Sequence, residues 1–185
     1  MHFTLEAQNR CRPCIWESSI AIDATAGNGF DTLFLAQCVG PHGRVFALDI
    51  QADAISRTEL KVKQAGCSER VECIQADHAQ LGLHVPREYY GRVSCAMFNL
   101  GYLPHSDKSI VTKAHSTIEA LNALEPMLAP NAMVSILVYV GHQDGLSESL
   151  AVKDWITERS ERYQSERLVD LENPSSPILW LLRNR

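Results

Sequence analysis

One loop constrains the fold of this chain more than any other segment. It runs from Asp23 to Gly29, between the apolar run of residues 19–22, which predicts a short buried strand, and the helical pattern of residues 30–39. A strand, a glycine turn and a helix start together form a socket for a nucleoside-bearing cofactor, because the helix start offers unpaired N–H groups. A second apolar run ends at Asp49, 20 residues after Gly29, where a carboxylate can accept hydrogen bonds from ribose hydroxyls.

The rest of the sequence alternates between strand and helix patterns. Strands are predicted at residues 19–22, 44–49, 71–76, 93–99, 133–139, 166–171 and 178–182. Helices are predicted at residues 30–39, 52–65, 109–128 and 146–162, while residues 81–92 are expected to be irregular or only briefly helical. The order predicts an α/β, Rossmann-like fold with a seven-stranded, mostly parallel sheet, an antiparallel edge hairpin and helices on both faces. We expect one domain over residues 1–185, in which residues 1–18 are a lead-in segment.

The overall charge limits how this chain can meet a nucleic acid. Its net charge is −5 and its pI about 5.8, so an RNA substrate has to be held by a local patch and not by a global positive field. No apolar run approaches the roughly 20 residues that a membrane helix requires, and the first residues contain no apolar signal core, so the expected location is cytoplasmic. The hydrophobic pattern leaves no spare interface stripe, and a homodimer is left open.

Six cysteines raise the question of a disulfide framework or a metal site. Cys38, Cys73 and Cys95 fall in predicted helix or strand, where a reduced cysteine acts as a small hydrophobic residue. Cys11 and Cys14 have the CxxC spacing, but no second CxxC or Cys/His pair follows at zinc-finger spacing. We therefore expect no bound metal and interpret the CxxC motif as incidental.

The loop composition bears on which cofactor the socket holds. A dinucleotide fingerprint is GxGxxG, and here Gly27 and Gly29 fit while Thr32 occupies the third glycine position. Asp23 at the start of the loop would repel a pyrophosphate, whereas S-adenosylmethionine carries a cationic amino-acid end that tolerates an acid. The sequence favours S-adenosylmethionine over NAD, with Asp77 and His78 after the third strand placed to contact the adenine.

A second motif, residues 99–104, follows the fourth predicted strand at the edge where such sheets hold substrates. Methylation of an amine needs a lone pair aimed at the methyl carbon. The Asn99 side-chain oxygen and the Leu100 carbonyl can orient an amine by accepting its N–H bonds. Tyr102 can stack on a heterocycle, and Gly101 leaves room for close approach.

Three segments together resemble one family. Residues 23–32, residues 98–104 with the trailing 107–109, and residues 139–142 are similar to a small class I methyltransferase family commonly labelled rRNA methylases. Its characterised bacterial members methylate the aminomethyl group of 5-aminomethyl-2-thiouridine at the wobble position of tRNA. The resemblance covers the chain from about residue 19 to residue 185, and the run from Asn99 to Pro104 is its most specific part.

The motif positions give a set of candidate site residues. Ten are expected to bind the cofactor: Asp23, Thr25, Gly27, Asn28, Gly29, Asp31, Thr32, Asp49, Asp77 and His78. Asn99 and Tyr102 are expected to face the substrate amine and base, and His142, after the fifth strand, to receive the released proton. Leu100, Gly101 and Lys108 are expected to contact the substrate, Lys108 through RNA phosphate.

Several functions remain open on the sequence alone. The favoured hypothesis is an S-adenosylmethionine-dependent N-methyltransferase that acts on a modified tRNA nucleotide. The alternatives with the same cofactor act on rRNA or on a small-molecule or protein amine. A nucleotide-binding module without catalysis and an NAD-dependent reductase are the remaining readings.

Overall fold

The computed structural model describes residues 2–101, 111–141, 144–173 and 175–185. Within them the strands are β1 (Ile20–Asp23), β2 (Arg44–Asp49), β3 (Val71–Gln75), β4 (Val93–Leu100), β5 (Leu128–Val138), β6 (Tyr163–Leu168) and β7 (Ile178–Asn184). The α-helices are α1 (Phe3–Cys11), α2 (Phe30–Val39), α3 (Ala52–Gln64), α4 (Leu81–His84), α5 (Ala114–Leu124) and α6 (Gly145–Glu158).

The seven strands form one sheet in the order β3-β2-β1-β4-β5-β7-β6. The five strands from β3 to β5 are parallel, and β7 runs antiparallel to both β5 and β6. The predicted fold class, including the antiparallel pair at one edge, is confirmed. The strand order reverses between β1 and β4, and in open α/β sheets ligands bind at that switch point, outside the carboxyl ends of the strands.

Apolar side chains pack on both faces of the sheet. One hydrophobic cluster joins the sheet to α4, α5 and α6, through residues such as Leu81, Leu121 and Trp155. The other joins it to α1, α2 and α3, through residues such as Phe3, Leu35 and Val62. With both faces covered, the carboxyl edge of the sheet is where polar side chains can gather.

Two helix predictions differ from the structure. The lead-in, for which no helix was predicted, contains α1, whose buried residues Phe3, Ala7 and Cys11 follow a four-residue spacing. The helix predicted at residues 109–128 is shorter, because Pro126 cannot donate to the helix and the chain tightens into a 3₁₀ turn at Glu125–Met127. Residues 109 and 110 lie outside the described part of the chain.

Two strand predictions also shift. Strand β5 begins five residues before its predicted start at residue 133, and it passes through Pro130 and Asn131 as an irregularity in its pairing with β4, where Asn131 takes a positive φ of 62°. Strand β6 begins at Tyr163 instead of residue 166, because α6 ends at Glu158. The polar residues of β6 suit an exposed edge, which hides the strand from a search for apolar runs.

Among the described residues, no helix is both long and apolar enough to cross a membrane.

The turn before β2 yields a stability prediction. A Cβ atom on Gly43 would lie 2.4 Å from Cβ and 2.5 Å from the carbonyl oxygen of Val39, a fully buried residue. We expect Gly43→Ala to lower the free energy of unfolding by about 2–3 kcal/mol, because the turn and α2 have to move apart. Urea denaturation measures the change.

The matched control is Gly82→Ala in α4, where the added Cβ would lie 3.7 Å from its nearest neighbour. This change should leave stability unchanged or raise it by about 0.5–1 kcal/mol, because alanine favours helix over glycine. An equal loss of stability in the two variants would contradict the prediction, because the close contact at Gly43 would then have no cost of its own.

Candidate active site

A large cavity lies at the carboxyl edge of the sheet, at the switch point between β1 and β4. Its volume is about 710 Å³. Strand ends supply one part of its lining, with Thr25, Asp49, Asp77 and Asn99 among the residues there, and the helices α1 and α2 supply another. A volume in the range of roughly 300–1,000 Å³ is typical of small-molecule and cofactor sites.

The β1–α2 loop is held in one shape by its glycines and by hydrogen bonds. Gly27 and Gly29 have positive φ angles of 53° and 74°. A Cβ on Gly29 would lie 2.9 Å from the Cα of Thr58, so the loop packs directly on α3. The Gly27 N–H donates to Oδ2 of Asp49 over 2.9 Å. Position 29 therefore requires glycine, and residues 24–28 of the loop form one wall of the cavity.

Asp49 is fixed by two backbone donors. Besides the Gly27 N–H, the Gln51 N–H donates to Oδ1 of Asp49 over 2.9 Å. Each carboxylate oxygen retains a second lone pair, so Asp49 can still accept hydrogen bonds from a ligand in the cavity that it lines. Its position at the tip of β2 is that of a ribose-binding carboxylate.

Asp23 and Thr32 lie beneath the loop and not in the cavity. Both are fully buried, and the Thr32 hydroxyl donates to Oδ2 of Asp23 over 2.6 Å while the Thr25 N–H donates to Oδ1 over 3.2 Å. Burial raises the pKa of Asp23 to about 7, and the neighbouring charge of Asp31 adds to the rise. The structure corrects the expectation that these two residues touch the cofactor, because their polar groups are turned to each other and stabilise the loop from below.

Asp31 forms the central contact of the site. This residue is 7% exposed, and it accepts a hydrogen bond from Nε2 of Gln8 at Oδ1 over 2.6 Å and another from Nδ2 of Asn99 at Oδ2 over 2.7 Å. The Asn99 backbone N–H donates to the Thr25 hydroxyl over 2.7 Å. A carboxylate can only accept, so it requires the NH₂ group of Asn99 to face it. The amide oxygen is therefore the atom that Asn99 offers to a ligand.

Asp77 and His78 line the cavity at the tip of β3. Oδ1 of Asp77 accepts the Ala79 N–H over 2.9 Å and so starts a short 3₁₀ turn. His78 is 7% exposed, its ring packs edge-on to Phe98, and its Nε2 has no hydrogen-bond partner among the described residues. Burial lowers the pKa of His78, against the opposing effect of the Asp77 and Asp49 charges. Oδ1 of Asp77 lies 3.9 Å from this nitrogen, too far for a hydrogen bond, so the buried imidazole suits a ligand that supplies a complementary polar group.

Of the other six predicted residues, two line the cavity, one does not, and three lie outside the described part of the chain. Asn28 lines the cavity and its side-chain oxygen accepts from Arg57 over 3.2 Å. Gly101 also lines the cavity, and a Cβ there would lie 3.2 Å from the Cβ of Tyr139. Leu100 does not, because its side chain is fully buried and its carbonyl accepts the Tyr139 N–H over 2.9 Å. Its carbonyl oxygen keeps a second lone pair, so the expected role in orienting an amine stays a prediction.

Tyr102, Lys108 and His142 lie outside the described residues, so their roles stay predictions.

Sequence reasoning missed the contribution of α1. Gln8 bonds to Asp31, and Thr4 and Leu5 line the cavity beside it. The apolar spacing of Phe3 and Ala7 could have indicated a helix, but no pattern in the sequence indicates which face of the sheet this helix covers. Tyr139, at the end of β5, also lines the cavity and was not singled out.

The CxxC motif packs away from the strand ends. A hydrogen bond with Cys11 and burial raise the pKa of Cys95 well above its ordinary value, and the thiols of Cys14 and Cys38 contribute to the rise. Cys38 and Cys95 therefore lie near the CxxC pair, although all four cysteines are free thiols. Among the described residues, no group of three or more Cys, His, Asp or Glu side chains has an arrangement that could hold a metal ion.

Comparison with known proteins identifies the family. The family model described as "Putative rRNA methylase" matches residues 45–183. The chain belongs to this family. A curated relative, "tRNA (mnm(5)s(2)U34)-methyltransferase, chloroplastic" from Arabidopsis thaliana, is 37% identical over 193 residues, which span 92% of this chain and 67% of the relative.

Solved structures agree with the family assignment. A "putative rRNA-methylase" from Clostridium thermocellum has a TM-score of 0.93 at 30% identity, covering 100% of this chain and 98% of that one. A "putative methyltransferase" from Streptococcus mutans, solved in complex with SAH, has a TM-score of 0.88 at 26% identity, covering 100% of this chain and 99% of that one. This member of the rRNA methylase family is a methyltransferase, and its cofactor is S-adenosylmethionine.

The residues of the cavity fit that cofactor. Asp49 is placed for the ribose, and Asp77 lies at the strand tip expected to meet the adenine, beside the His78 Nε2 that lacks a hydrogen-bond partner among the described residues. The loop residues 24–28 line the cavity between them. Bound there, the cofactor supplies an electrophilic methyl group on a sulfonium centre. Membership of this family excludes two of the alternative functions, an NAD-dependent reductase and a nucleotide-binding module without catalysis.

The buried Asp23 predicts a pH dependence of stability. Its pKa rises from 3.8 to about 7 on folding, so between these pH values the folded protein keeps a proton that the unfolded chain has released. The contribution of Asp23 to the free energy of unfolding therefore falls as pH rises through this window, with a slope of at most about 1.4 kcal/mol per pH unit, and is constant above it. Urea denaturation of the wild type and of Asp23→Asn, at pH values from 5 to 8, measures the difference.

We expect the stability of the wild type relative to Asp23→Asn to decline from pH 5 to pH 7 and then level off. A difference that is flat, or that grows with pH, would contradict a protonated Asp23 in the folded state.

Proposed function

We propose that this methyltransferase acts on the aminomethyl group of a modified wobble uridine in tRNA. The observation that carries the proposal is the hydrogen bond from Nδ2 of Asn99 to Oδ2 of Asp31. It leaves the Asn99 oxygen as a fixed acceptor at the carboxyl end of β4, beside the cofactor residues. A fixed hydrogen-bond acceptor suits a substrate group that carries N–H bonds, such as an amine. The relative from Arabidopsis thaliana is named for a modified tRNA uridine.

The chemistry asks little of the protein beyond positioning. The amine nitrogen uses its lone pair to form a bond to the methyl carbon, while the bond from that carbon to sulfur breaks and its electron pair stays on sulfur. Asn99 orients the nitrogen by accepting one of its N–H bonds, which places the lone pair towards the methyl group. The extra proton leaves the new ammonium product to water, or to His142 as predicted from the sequence.

The environment of Asn99 supports an amine in its neutral, nucleophilic form. Asp31 and Asn99 are joined by a donor–acceptor pair, so the group nearest to the amine is a neutral amide oxygen and not a carboxylate. A carboxylate in direct contact would stabilise the ammonium form, which has no lone pair to offer. In this arrangement Asp31 acts through Asn99 and does not contact the reacting nitrogen itself.

An rRNA acceptor is the second candidate, because the family carries that description. A small-molecule or protein amine is the third, and the net charge of −5 would suit it. We propose the cytoplasm as the place of action, whereas the relative from Arabidopsis thaliana is chloroplastic. A homodimer stays an open prediction.

A methyl-transfer assay with the purified protein tests the proposal. The substrate is tRNA that carries 5-aminomethyl-2-thiouridine, with rRNA from the same cells in a parallel reaction, and nucleoside mass spectrometry identifies the product. We expect the wobble nucleoside to gain one methyl group and the rRNA nucleosides to gain none. An unmodified tRNA transcript, which lacks the amine, is the control and should gain no methyl group.

Methylation of the rRNA alone would assign the enzyme to the second candidate. Methylation of neither RNA would overturn the proposal and favour the third.

A further inference from the structure

The cavity extends beyond the strand ends into a groove between two helices. We name this part the α1–α2 groove and define it by six lining residues, three from each helix: Thr4, Leu5, Gln8, Leu33, Phe34 and Gln37. On α2 these positions follow a spacing of three and four residues, so they share one face of the helix. The groove is therefore continuous with the cofactor site and is built equally by the lead-in helix α1 and by α2.

The groove extends away from the glycine loop along α2. Gln37 follows Phe30, the first residue of α2, by seven positions, which places it about 10 Å further along the helix axis. The cofactor site proper gathers Asp49, Asp77 and the loop backbone, whereas none of the six groove side chains is ionisable. A groove with three apolar and three neutral polar side chains suits a neutral planar molecule better than an amino-acid end that carries two charges.

The inner end of the groove adjoins the proposed reaction centre at Asn99. Gln8 donates to Asp31, and Asp31 in turn holds the amide of Asn99. A molecule in the groove therefore reaches the Asn99 oxygen without crossing the glycine loop. An acceptor whose amine lies at its tip would meet the methyl group from this side.

The rim of the groove carries exposed apolar and cationic groups. Leu5 is 56% exposed and Phe30, at the start of α2, is 64% exposed, although both line the cavity. The guanidinium of Arg12 lies 4.9 Å from the ring centroid of Phe34, and the Lys61 ammonium lies 4.0 Å from that of Phe30. Apolar surface bordered by cations is the combination that receives unstacked bases and the phosphates that flank them.

We propose that the α1–α2 groove receives the base of the acceptor nucleotide, flipped out of the RNA so that its substituent reaches Asn99. The inference rests on the proposed function and adds the subsite and its residues. Leu5 and Leu33 contact the faces of the base, Thr4 and Gln37 bond to its polar edge, and Arg12 lies towards the backbone phosphate.

Calorimetry of the protein saturated with S-adenosylhomocysteine tests the groove. The ligand is an RNA anticodon hairpin with 5-aminomethyl-2-thiouridine at the wobble position, and a second hairpin lacks the base at that position. We expect Leu5→Ala and Gln37→Ala each to weaken binding of the intact hairpin by about 5-fold to 10-fold. Neither should change the affinity for the abasic hairpin or for S-adenosylhomocysteine.

The control is Leu60→Ala on α3, because Leu60 is 56% exposed, as Leu5 is, and does not line the cavity. It should change none of the three affinities. Weaker binding of S-adenosylhomocysteine by the groove variants would assign the groove to the cofactor, and an unchanged affinity for the intact hairpin would place the base elsewhere. Both of these outcomes overturn the inference and leave the proposed function standing. A wild type that binds neither hairpin overturns both.

Discussion

A buried carboxylate, that of Asp31, is the contact on which the site depends. It accepts one hydrogen bond from the side-chain amide of Gln8 on α1 and another from the side-chain amide of Asn99 at the end of β4. Asp31 itself belongs to the first turn of α2. Three elements that are far apart in sequence are thus joined at a single side chain. A buried carboxylate without donors is unstable, so the folded state strongly favours both amides in place. Their orientation decides which atom of Asn99 faces the cavity.

Four acidic side chains lie around this contact, and the fold reduces the repulsion between them. Asp23, Asp31, Asp49 and Asp77 all lie at the carboxyl edge of the sheet, in a chain of net charge −5. Asp23 reduces the repulsion by taking up a proton at pH values below about 7, and Asp49 is satisfied by two backbone N–H groups. The cations Arg12, Arg57 and Lys61 contact residues of the cavity lining, which is where a negatively charged RNA backbone would otherwise meet an acidic protein.

The sequence was sufficient for the parts of the fold that depend on local pattern. The apolar runs before Asp23, Asp49 and Asn99 predict the strands that end at the cavity, and the glycine loop predicts the socket. Asp23 was assigned to the cofactor because its place in the loop is visible in the sequence, whereas its burial under Thr32 depends on how α2 packs. Gln8 could not be found for the same reason, since 23 residues separate it from Asp31 and only tertiary packing joins them.

The most direct test of this account is a double-mutant cycle of Asp31→Ala and Asn99→Ala, with kcat for methyl transfer and the Kd of S-adenosylhomocysteine as readouts. If Asp31 acts by orienting Asn99, each single variant loses about 100-fold in kcat, and the double variant loses little more than either one, with Kd changed less than about twofold. Losses that multiply in the double variant, or an Asp31→Ala enzyme with the wild-type kcat, would contradict the account.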